Sequence, residues 1–381
     1  MVDGGSVDVA DGSMSAPLVL AAGTYDDKAH PRIRVLLAGL RDHGWNVDEV
    51  VVPLRLTTDQ RVDLLQRPSR LPLLALAIAR SWVRLIPRLA VYRARHKPQA
   101  VVVGYLGQFD VLVVRLFAWG VPVILDYLVS GARTAADRGE RGSLKQRLLR
   151  GLDDAALKSA DIVVVDTPEQ AEALPERFRP KAVVVPVGAD ERWFRAGRLQ
   201  RHRGQRLSVA FHGSFTPLQG VPVIAQALRL LGGSVDATVV GGGQDGPEVD
   251  RILDGVAGVT RLPWPPSDEL PALVAPHDVC LGIFGVGDKA LRVVPNKAYQ
   301  DAALGCVVVT SDTAPQRRAF GDAALYVPPG DAAALARTLR SLAEDRELVA
   351  DLSDRARRRA EGSFSPAAVV EPLVAALDHV S

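Results

Sequence analysis

Short apolar runs alternate with helical patterns along almost the whole chain. Most of the runs are rich in Val and continuously apolar, which is typical of strands buried on both faces of a parallel sheet. The predicted strands are residues 18–23, 45–52, 99–105, 121–127, 160–167, 181–188, 207–213, 235–243, 259–264, 279–285, 306–310 and 324–329. Because helical patterns such as residues 31–44 lie between them, the alternation predicts open parallel sheets of the α/β class.

One interruption of this alternation divides the chain into two halves. Residues 191–206 are basic and polar with few aliphatic side chains, and we predict a linker there. On either side we expect Rossmann-like domains at residues 17–190 and 207–364, with a last helix at 365–381 that packs back on the first domain. Residues 1–16 are acidic and rich in Gly and Ser, which predicts a disordered tail. Ligands of such sheets bind beyond the carboxyl ends of the strands, so two domains predict a cleft between them.

Length and composition limit the functions to consider. A chain of 381 residues is long enough for about two domains. The net charge of +2 gives no basic field that would call for nucleic acid. The two cysteines, Cys280 and Cys306, lie in apolar runs, so we expect buried side chains and a cytoplasmic protein. No Asp-x-Asp pair follows a strand and no His/Cys cluster has metal spacing, so we predict no metal site.

A basic loop precedes a predicted helix that Pro295 opens and Gly305 closes. Lys289, Arg292 and Lys297 lie at or just before the start of this helix. Cations are unfavourable there because the amino end of a helix carries partial positive charge. We interpret the three as ligands of a bound anion such as a diphosphate, which also favours free helix N–H groups. The alternative is a basic loop whose side chains are solvated.

Two further segments are rich in glycine. In HGSFTPLQG, residues 212–220, Gly213 follows a strand, and either a tight turn or the close approach of backbone to a phosphate explains it. In VVGGGQDGPEV, residues 239–249, Gly241, Gly243 and Gly246 fit the pattern G-x-G-x-x-G, which suggests an NAD-binding site. An NAD site also needs an acidic residue after the next strand, but that strand ends in Pro263 and Trp264, which argues against this alternative.

Polar loops follow two strands of the first half. Residues 23–32 join the first strand to the first helix and contain Asp26, Asp27, His30 and Arg32. Residues 125–140 form a long polar segment that includes Asp126 and Ser130. Long polar loops in a compact domain often bind substrate. Ordinary surface loops are the alternative for both.

Several segments resemble a known family. FHGSFTPLQG, VVGGGQDGPEV, GIFGVGDKALRVVPNKAYQDAALGCVVVTSD and GDAALYVPPGDAAALARTLRSL resemble the carboxyl-terminal half of a GT-B glycosyltransferase, and most closely the retaining group called family 4. GQFD, ADIVVVDTPE and VVPVGADE are similar to one branch of that family, so the resemblance covers essentially the whole chain. It implies two Rossmann-like, doubly wound parallel-sheet domains that face a cleft.

The resemblance also implies an activity. The enzyme would move a sugar with retention from a nucleotide-sugar donor to a polysaccharide, glycolipid or small natural-product acceptor. The second domain would bind the donor and the first domain the acceptor. Neither a metal ion nor another cofactor would be needed, because basic side chains and a helix terminus hold the diphosphate.

The resemblance places candidate site residues in both halves. The implied donor-binding residues are Gly213, Ser214, Gln219, Gly243, Pro263, Trp264, Phe284, Gly285, Lys289, Arg292, Asn296, Lys297 and Gln300. The candidate acceptor-binding residues are Asp26, Asp27, His30, Arg32, Tyr105, Ser130 and Arg138. The candidate catalytic residues are Asp126, Asp137 and Arg292.

The chain departs from the family at four of its characteristic positions. Arg292 and Gln300 stand where the family commonly has a Glu-x7-Glu pair, and Ser214 and Gln219 stand where it commonly has Arg and Lys. Our hypothesis is that the lost positive charge has moved to the basic loop and to Lys297. These changes are also compatible with an alternative function, in which the protein has reduced catalytic activity and serves as the partner of a true transferase. A nucleotide-sugar epimerase is a further alternative, although no carboxylate set in the second half favours it.

Residues 70–97 carry arginines among Leu, Ile, Val and Trp at helical spacing. A basic amphipathic helix of this kind can lie on an anionic membrane. A core helix whose arginines face water is the alternative.

Overall fold

A computed structural model of the protein describes residues 16–26, 31–54, 71–104, 107–128, 144–197 and 206–379. Within these ranges two six-stranded sheets form, and all of their neighbouring strands pair in parallel. The predicted fold class, two doubly wound parallel-sheet domains, is confirmed.

The strands are short, as the apolar runs predict. They are β1 (Leu18–Gly23), β2 (Asn46–Val51), β3 (Ala100–Val103), β4 (Val123–Asp126), β5 (Ile162–Val165), β6 (Ala182–Val184), β7 (Ser208–His212), β8 (Asp236–Val240), β9 (Val259–Leu262), β10 (Val279–Leu281), β11 (Val307–Ser311) and β12 (Ala324–Val327). The order is β2-β1-β3-β4-β5-β6 in the first sheet and β12-β11-β10-β7-β8-β9 in the second.

Helices cover both faces of each sheet. They are α1 (Pro31–Asp42), α2 (Leu71–Arg95), α3 (Asp110–Arg115), α4 (Leu144–Ser159), α5 (Pro168–Glu172), α6 (Glu191–Gly197), α7 (Val221–Leu231), α8 (Gly246–Leu253), α9 (Leu270–Val274), α10 (Asn296–Leu304), α11 (Ala314–Phe320), α12 (Ala332–Glu344), α13 (Arg346–Ser363) and α14 (Pro366–Asp378). Within the described part of the chain, none of them is both long and apolar enough to cross a bilayer.

The central strands are buried on both faces because alternate residues of one strand point into different cores. In β3, Val101 and Val103 belong to one apolar cluster, while Ala100 and Val102 belong to another on the opposite face of the sheet. All four side chains are essentially inaccessible to solvent. This two-sided burial explains why the runs are continuously apolar rather than alternating with polar residues.

The segment predicted as a linker begins with a helix. Residues Glu191–Gly197 form α6, and its Trp193 and Phe194 are buried in an apolar cluster of the second domain. Its apolar face consists of aromatic and small residues, which a search for aliphatic side chains overlooks. The remainder of the predicted linker, 198–205, lies outside the described residues, as does the predicted tail apart from its last residue.

The last helix returns to the first domain. Val370, Leu373 and Leu377 of α14 belong to the same apolar cluster as Leu36 of α1. Gly39 of α1 allows the two helices to approach closely, because a Cβ there would lie 2.2 Å from the carbonyl oxygen of Pro366. The chain therefore crosses between the domains twice, once near α6 and once before α14.

Gly39→Ala tests this contact. We expect it to lower the free energy of unfolding by about 1–3 kcal/mol, because the added methyl group separates α14 from α1. Gly151→Ala is the matched control, since Gly151 is exposed on α4 with no described atom within 4 Å of the added carbon. The control should instead stabilise the protein by about 0.5–1 kcal/mol. Urea denaturation of both variants measures the difference, and a stabilised Gly39→Ala protein would contradict the predicted packing.

Candidate active site in the interdomain cleft

A cavity of about 460 Å³ lies between the domains at the carboxyl ends of strands from both sheets. Its walls come from α1 and the residues after β4 and β5 in the first domain. The second domain supplies α6, the segments after β7 and β9, and the start of α10. The cavity therefore occupies the place where open α/β sheets bind ligands.

The structure brings eight of the predicted site residues to the walls of this cavity. They are Arg32, Gly213, Gln219, Trp264, Lys289, Asn296, Lys297 and Gln300. Other predicted residues are described but are not on its walls, namely Asp26, Asp126, Ser214, Gly243, Pro263, Phe284, Gly285 and Arg292. Asp27, His30, Tyr105, Ser130, Asp137 and Arg138 lie outside the described residues.

Lys297 is a buried cation at the cavity. It is the second residue of α10 and only 5% exposed, and its Nζ has no hydrogen-bond partner among the described residues. Nζ lies 3.5 Å from the centroid of the Phe211 ring, which is attractive for a cation. Burial holds the pKa of Lys297 well below the usual range for lysine, although the charge of Asp301 acts in the opposite direction. A buried ammonium without an anion is costly, so this position favours an anionic ligand.

The backbone after β7 faces this ammonium. A Cβ at Gly213 would lie 3.5 Å from Nζ of Lys297 and 3.4 Å from Oε1 of Gln219, so these groups converge on one point. Oε1 of Gln219 is also buried without a described hydrogen-bond partner. Gln300, one turn along α10, lies on the same cavity wall and is mostly buried. Together they place an ammonium, side-chain amides and the amino end of a helix around one part of the cavity.

Two of the predicted glycines are explained by packing. Gly243 has a φ of +146°, and a Cβ there would lie 2.7 Å from the carbonyl oxygen of Phe215. A Cβ at Gly285 would lie 2.3 Å from the carbonyl oxygen of Pro217. These glycines allow the loops after β8 and β10 to pack on the loop after β7, which the G-x-G-x-x-G pattern alone does not reveal.

Arg292 is not part of the cavity wall. Its Nη2 donates to Oδ2 of Asp288 at 3.0 Å, and its Nε donates to the carbonyl oxygen of Asp288 at 3.1 Å. Its own carbonyl oxygen accepts a hydrogen bond of 3.1 Å from Oγ1 of Thr167 in the first domain. Arg318 and Glu169 add an ion pair between the same two domains. The basic loop thus contacts the first domain through its backbone, while Lys289 is on the cavity wall.

Arg32 is the buried cation of the first domain. Its Nε donates to Oδ1 of Asp126 at 2.7 Å, and its Nη2 donates to the carbonyl oxygen of Val185 at 3.0 Å. Its Nη1 has no hydrogen-bond partner among the described residues. The Asp126 side chain is fully buried behind Arg32. Asp126 therefore fixes the guanidinium at the cavity wall without facing the cavity itself.

Asp166, which sequence reasoning overlooked, follows β5 and lies on the same wall. Its Oδ1 is buried and has no hydrogen-bond partner among the described residues. Burial raises the pKa of Asp166 to about 6, while the charges of Arg32 and Lys289 oppose the rise. The sequence does place Asp166 at the carboxyl end of a Val-rich strand. Because that end of the strand faces the cleft, its position is the feature from which a site residue could have been predicted.

A buried pair behind the donor side was also overlooked. His212 Nε2 and Asp301 Oδ1 are joined by a hydrogen bond of 2.8 Å, and both side chains are almost inaccessible. The indole of Trp193 stacks on the His212 ring with centroids 5.6 Å apart. His212 and Trp193 both line the cavity, so α6, β7 and α10 are fixed to one another at this wall.

A second ionic network connects the domains beside the cavity. Asp190 accepts hydrogen bonds from Nε and Nη2 of Arg192 at 3.1 and 2.9 Å. Arg192 also donates to Asp268 at 2.6 Å, and Arg34 of α1 lies 3.5 Å from Asp190. Arg34 and Arg192 both line the cavity. This network adds two cations to the walls, and each already has a carboxylate beside it.

Comparison with known families gives two matches. Residues 206–345 match the family described as "Glycosyl transferases group 1". Residues 29–188 match the family described as "Glycosyl transferase 4-like domain". The two matches together cover most of the chain and correspond to its two sheets. Among curated proteins, none matches this chain significantly.

Solved structures with the same architecture are numerous. A sucrose-phosphate synthase from Thermosynechococcus elongatus superposes with a TM-score of 0.68 at 18% identity, covering 96% of this chain and 100% of that one. Anabaena HepE in complex with UDP-glucose gives 0.65 at 15% identity, with 96% and 100% coverage. An α,α-trehalose-phosphate synthase from Burkholderia vietnamiensis gives 0.64 at 15% identity, with 96% and 97% coverage.

At these identities the structural neighbours show the fold alone, and the family matches add the class of protein. Both halves match glycosyl transferase domains, in the order that the sequence resemblance implied. The chain therefore belongs to the group 1 glycosyltransferases with the GT-B fold.

Proposed function

We propose that this glycosyltransferase moves a hexose with retention from a nucleotide-sugar to a hydroxyl of a carbohydrate, glycolipid or small natural-product acceptor. The donor side of the proposal rests on Lys297, whose buried ammonium lacks a described hydrogen-bond partner and faces Gly213. A diphosphate there would accept hydrogen bonds from the ammonium and neutralise it. Among the neighbours, HepE was solved with UDP and with UDP-glucose, which supports a nucleotide donor.

The basic residues on the cavity walls support a mechanism in which the protein stabilises the charge of the leaving diphosphate. When the bond from the anomeric carbon to the diphosphate breaks, negative charge develops on the leaving phosphate oxygens. Lys297, Lys289 and the start of α10 are on the cavity walls, where they would stabilise that charge. We therefore propose a transfer that depends on neither a metal ion nor another cofactor, in a cytoplasmic protein whose cysteines, Cys280 and Cys306, are buried thiols that form no disulfide.

Arg292 supports a second candidate function. It occupies a position where the family commonly has a carboxylate, yet its guanidinium binds Asp288 and is not part of the cavity wall. A protein that has lost its donor site and serves as partner of another transferase would tolerate this arrangement. Binding of a nucleoside diphosphate distinguishes the two candidates.

The surface of α2 supports a peripheral contact with an anionic membrane. Leu73, Leu76, Val83 and Val91 are 50% to 73% exposed, whereas one side of the helix, including Leu85, is buried against the sheet. Arg80, Arg84 and Arg88 are exposed beside them and line a surface depression. Exposed apolar side chains that alternate with arginines are suited to the boundary between lipid headgroups and acyl chains.

Titration calorimetry with UDP, GDP, dTDP and NADH tests the donor site. We expect one diphosphate to bind and NADH not to bind. Lys297→Met should weaken that binding about tenfold or more, because it removes a charge-assisted hydrogen bond in a buried site. Lys158→Met, the same change on the exposed face of α4, is the control and should bind as the wild type does. No binding of any diphosphate to the wild type would favour the partner function.

Lys297→Met should at the same time stabilise the free protein. The pKa of Lys297 is lowered in the folded state, so the unfolded chain binds the proton more tightly and folding is disfavoured at pH 7. This cost disappears as the pH rises above the unfolded value of about 10.4. The gain in Tm should therefore be larger at pH 7 than at pH 10, and a lower Tm at pH 7 would contradict the unpaired charge.

At a pH above the lowered pKa of Lys297, where this side chain is mostly neutral in the free protein, nucleotide binding should also take up a proton. A diphosphate favours the charged form of Lys297 and therefore raises its lowered pKa. The binding enthalpy should depend on the ionisation enthalpy of the buffer, with a sign that corresponds to proton uptake. Lys297→Met should lose this dependence while Lys158→Met retains it. Equal buffer dependence in Lys297→Met and the wild type would mean that another group takes up the proton.

Vesicle sedimentation tests the membrane contact. We expect binding to vesicles that contain phosphatidylglycerol, weaker binding to phosphatidylcholine alone, and release by salt. Changing Arg80, Arg84 and Arg88 to Gln should reduce binding. Changing Arg337, Arg340 and Arg358 to Gln removes the same charge from exposed positions of α12 and α13 and should not. Equal binding by both triple variants would exclude α2 as the membrane contact.

A further inference from the structure

Asp166 has no role in the donor site proposed above. Among the described residues that line the cleft cavity it is the single carboxylate, whereas five cations line the same walls. These cations are Arg32, Arg34, Arg192, Lys289 and Lys297. A carboxylate repels a diphosphate, so its place at this cavity calls for another kind of ligand.

The surroundings leave one oxygen of the Asp166 carboxylate without a hydrogen bond. Its Oδ1 is buried with no hydrogen-bond partner among the described residues. The nearby Arg32 donates through Nε to Asp126 and through Nη2 to Val185, and its remaining nitrogen, Nη1, makes no hydrogen bond to Asp166. Desolvated carboxylates are normally paired, so an acceptor oxygen left open beside a cavity is suited to a hydrogen-bond donor from a ligand.

A neutral polyol supplies such a donor. The hydroxyls of a sugar donate to a carboxylate without adding charge to the cavity, and a hydrogen bond to a charged acceptor is stronger than one to a neutral acceptor. Asp166 belongs to the first domain, directly before Thr167, whose hydroxyl contacts the basic loop. A ligand bound to Asp166 would therefore lie across the cavity from Lys297, which is on the wall of the second domain.

We propose that Asp166 is an acceptor-binding residue that holds a hydroxyl of a sugar acceptor through its Oδ1. This assignment rests on the proposed transferase function. Asp166 takes no proton in the reaction. The anomeric carbon loses its bond to the diphosphate and gains one to the attacking hydroxyl, whose proton leaves with the diphosphate. Asp166 holds a different hydroxyl of the same acceptor and thereby orients the attacking one.

The charges around Asp166 determine how its binding should vary with pH. Arg32 and Lys289 favour its ionised form, while burial and Asp126 favour the protonated form, and burial dominates. The Tyr299 hydroxyl is also near, and its pKa is raised, so it stays neutral. With a pKa of about 6, Asp166 is ionised above that pH and protonated below it. Acceptor binding should therefore strengthen as the pH rises through 6.

The test compares transfer to water with transfer to a sugar. The nucleoside diphosphate that binds in calorimetry identifies the donor series, and its hexose derivatives serve as donors. Water and a panel of methyl glycosides serve as acceptors. Asp166→Asn keeps the shape of the side chain, and Asp166→Ala provides a second variant if the first folds poorly. Asp250→Asn, an exposed carboxylate of α8, is the matched control.

We expect Asp166→Asn to raise the KM for the glycoside about tenfold. Its diphosphate affinity and its rate of donor hydrolysis should not fall below the wild-type values, because neither needs the polyol and the lost carboxylate only repels the diphosphate. The rise of kcat/KM for the glycoside through pH 6 should be present in the wild type and in Asp250→Asn and absent from Asp166→Asn.

Two results would overturn the assignment while leaving the transferase function intact. One is an unchanged KM and pH profile for the glycoside in Asp166→Asn and Asp166→Ala. The other is a wild type that hydrolyses its donor but transfers to none of the glycosides. A wild type that binds no diphosphate and hydrolyses no donor would instead overturn the proposed function, and the assignment of Asp166 with it.

Discussion

The cleft concentrates buried positive charge, and this constraint governs how the rest of the molecule is arranged. Arg32 and Lys297 are both almost inaccessible, and each has a nitrogen without a described hydrogen-bond partner. Removing such groups from water costs several kcal/mol for each ion, unless a counter-charge offsets it. In the first domain Asp126 provides that counter-charge. In the second domain the charge of Asp301 acts on Lys297 without a hydrogen bond to its Nζ, and the direct contact is the ring of Phe211, which compensates less than a hydrogen-bonded carboxylate does.

The parallel sheets allow buried charges to be gathered in the cleft. Strands that are buried on both faces carry their polar side chains at their ends. Asp126 is the last residue of β4 and Asp166 directly follows β5, at the same edge of the first sheet. The second sheet presents Gly213 after β7 at its own edge. The domains are then held edge to edge by the Asp190–Arg192 network, by the contact of Thr167 with the loop before α10, and by α14. None of these contacts uses Lys297, which leaves its ammonium facing the cavity.

The sequence predicts the architecture well because apolar periodicity reports burial directly. Each of the twelve predicted strands overlaps a strand of the structure, and α10 begins after Pro295 and ends before Gly305 as expected. It predicts side-chain roles less well because those depend on partners far apart in the chain. The basic loop was recognised, yet only tertiary contacts show that Arg292 binds Asp288 while Lys297 is buried. Asp166 falls inside a predicted strand, so the sequence gives it no separate role. The helix α6 is not predicted, because Trp193 and Phe194 rather than aliphatic residues form its apolar surface.

The burial of Lys297 also separates the two explanations for a lysine at the start of a helix. A solvated lysine would extend into water and lose almost nothing by its proximity to the positive end of α10, since that effect is only a few tenths of a kcal/mol at an exposed site. Instead the side chain points inward, where desolvation outweighs the influence of Asp301 and lowers its pKa. A fold gains nothing from this placement in the free protein, because a Met of similar length would fill the same space without the penalty. If Lys297 binds the diphosphate as proposed, stability and anion affinity are opposed at this one residue, which is what a position selected for binding rather than for folding predicts.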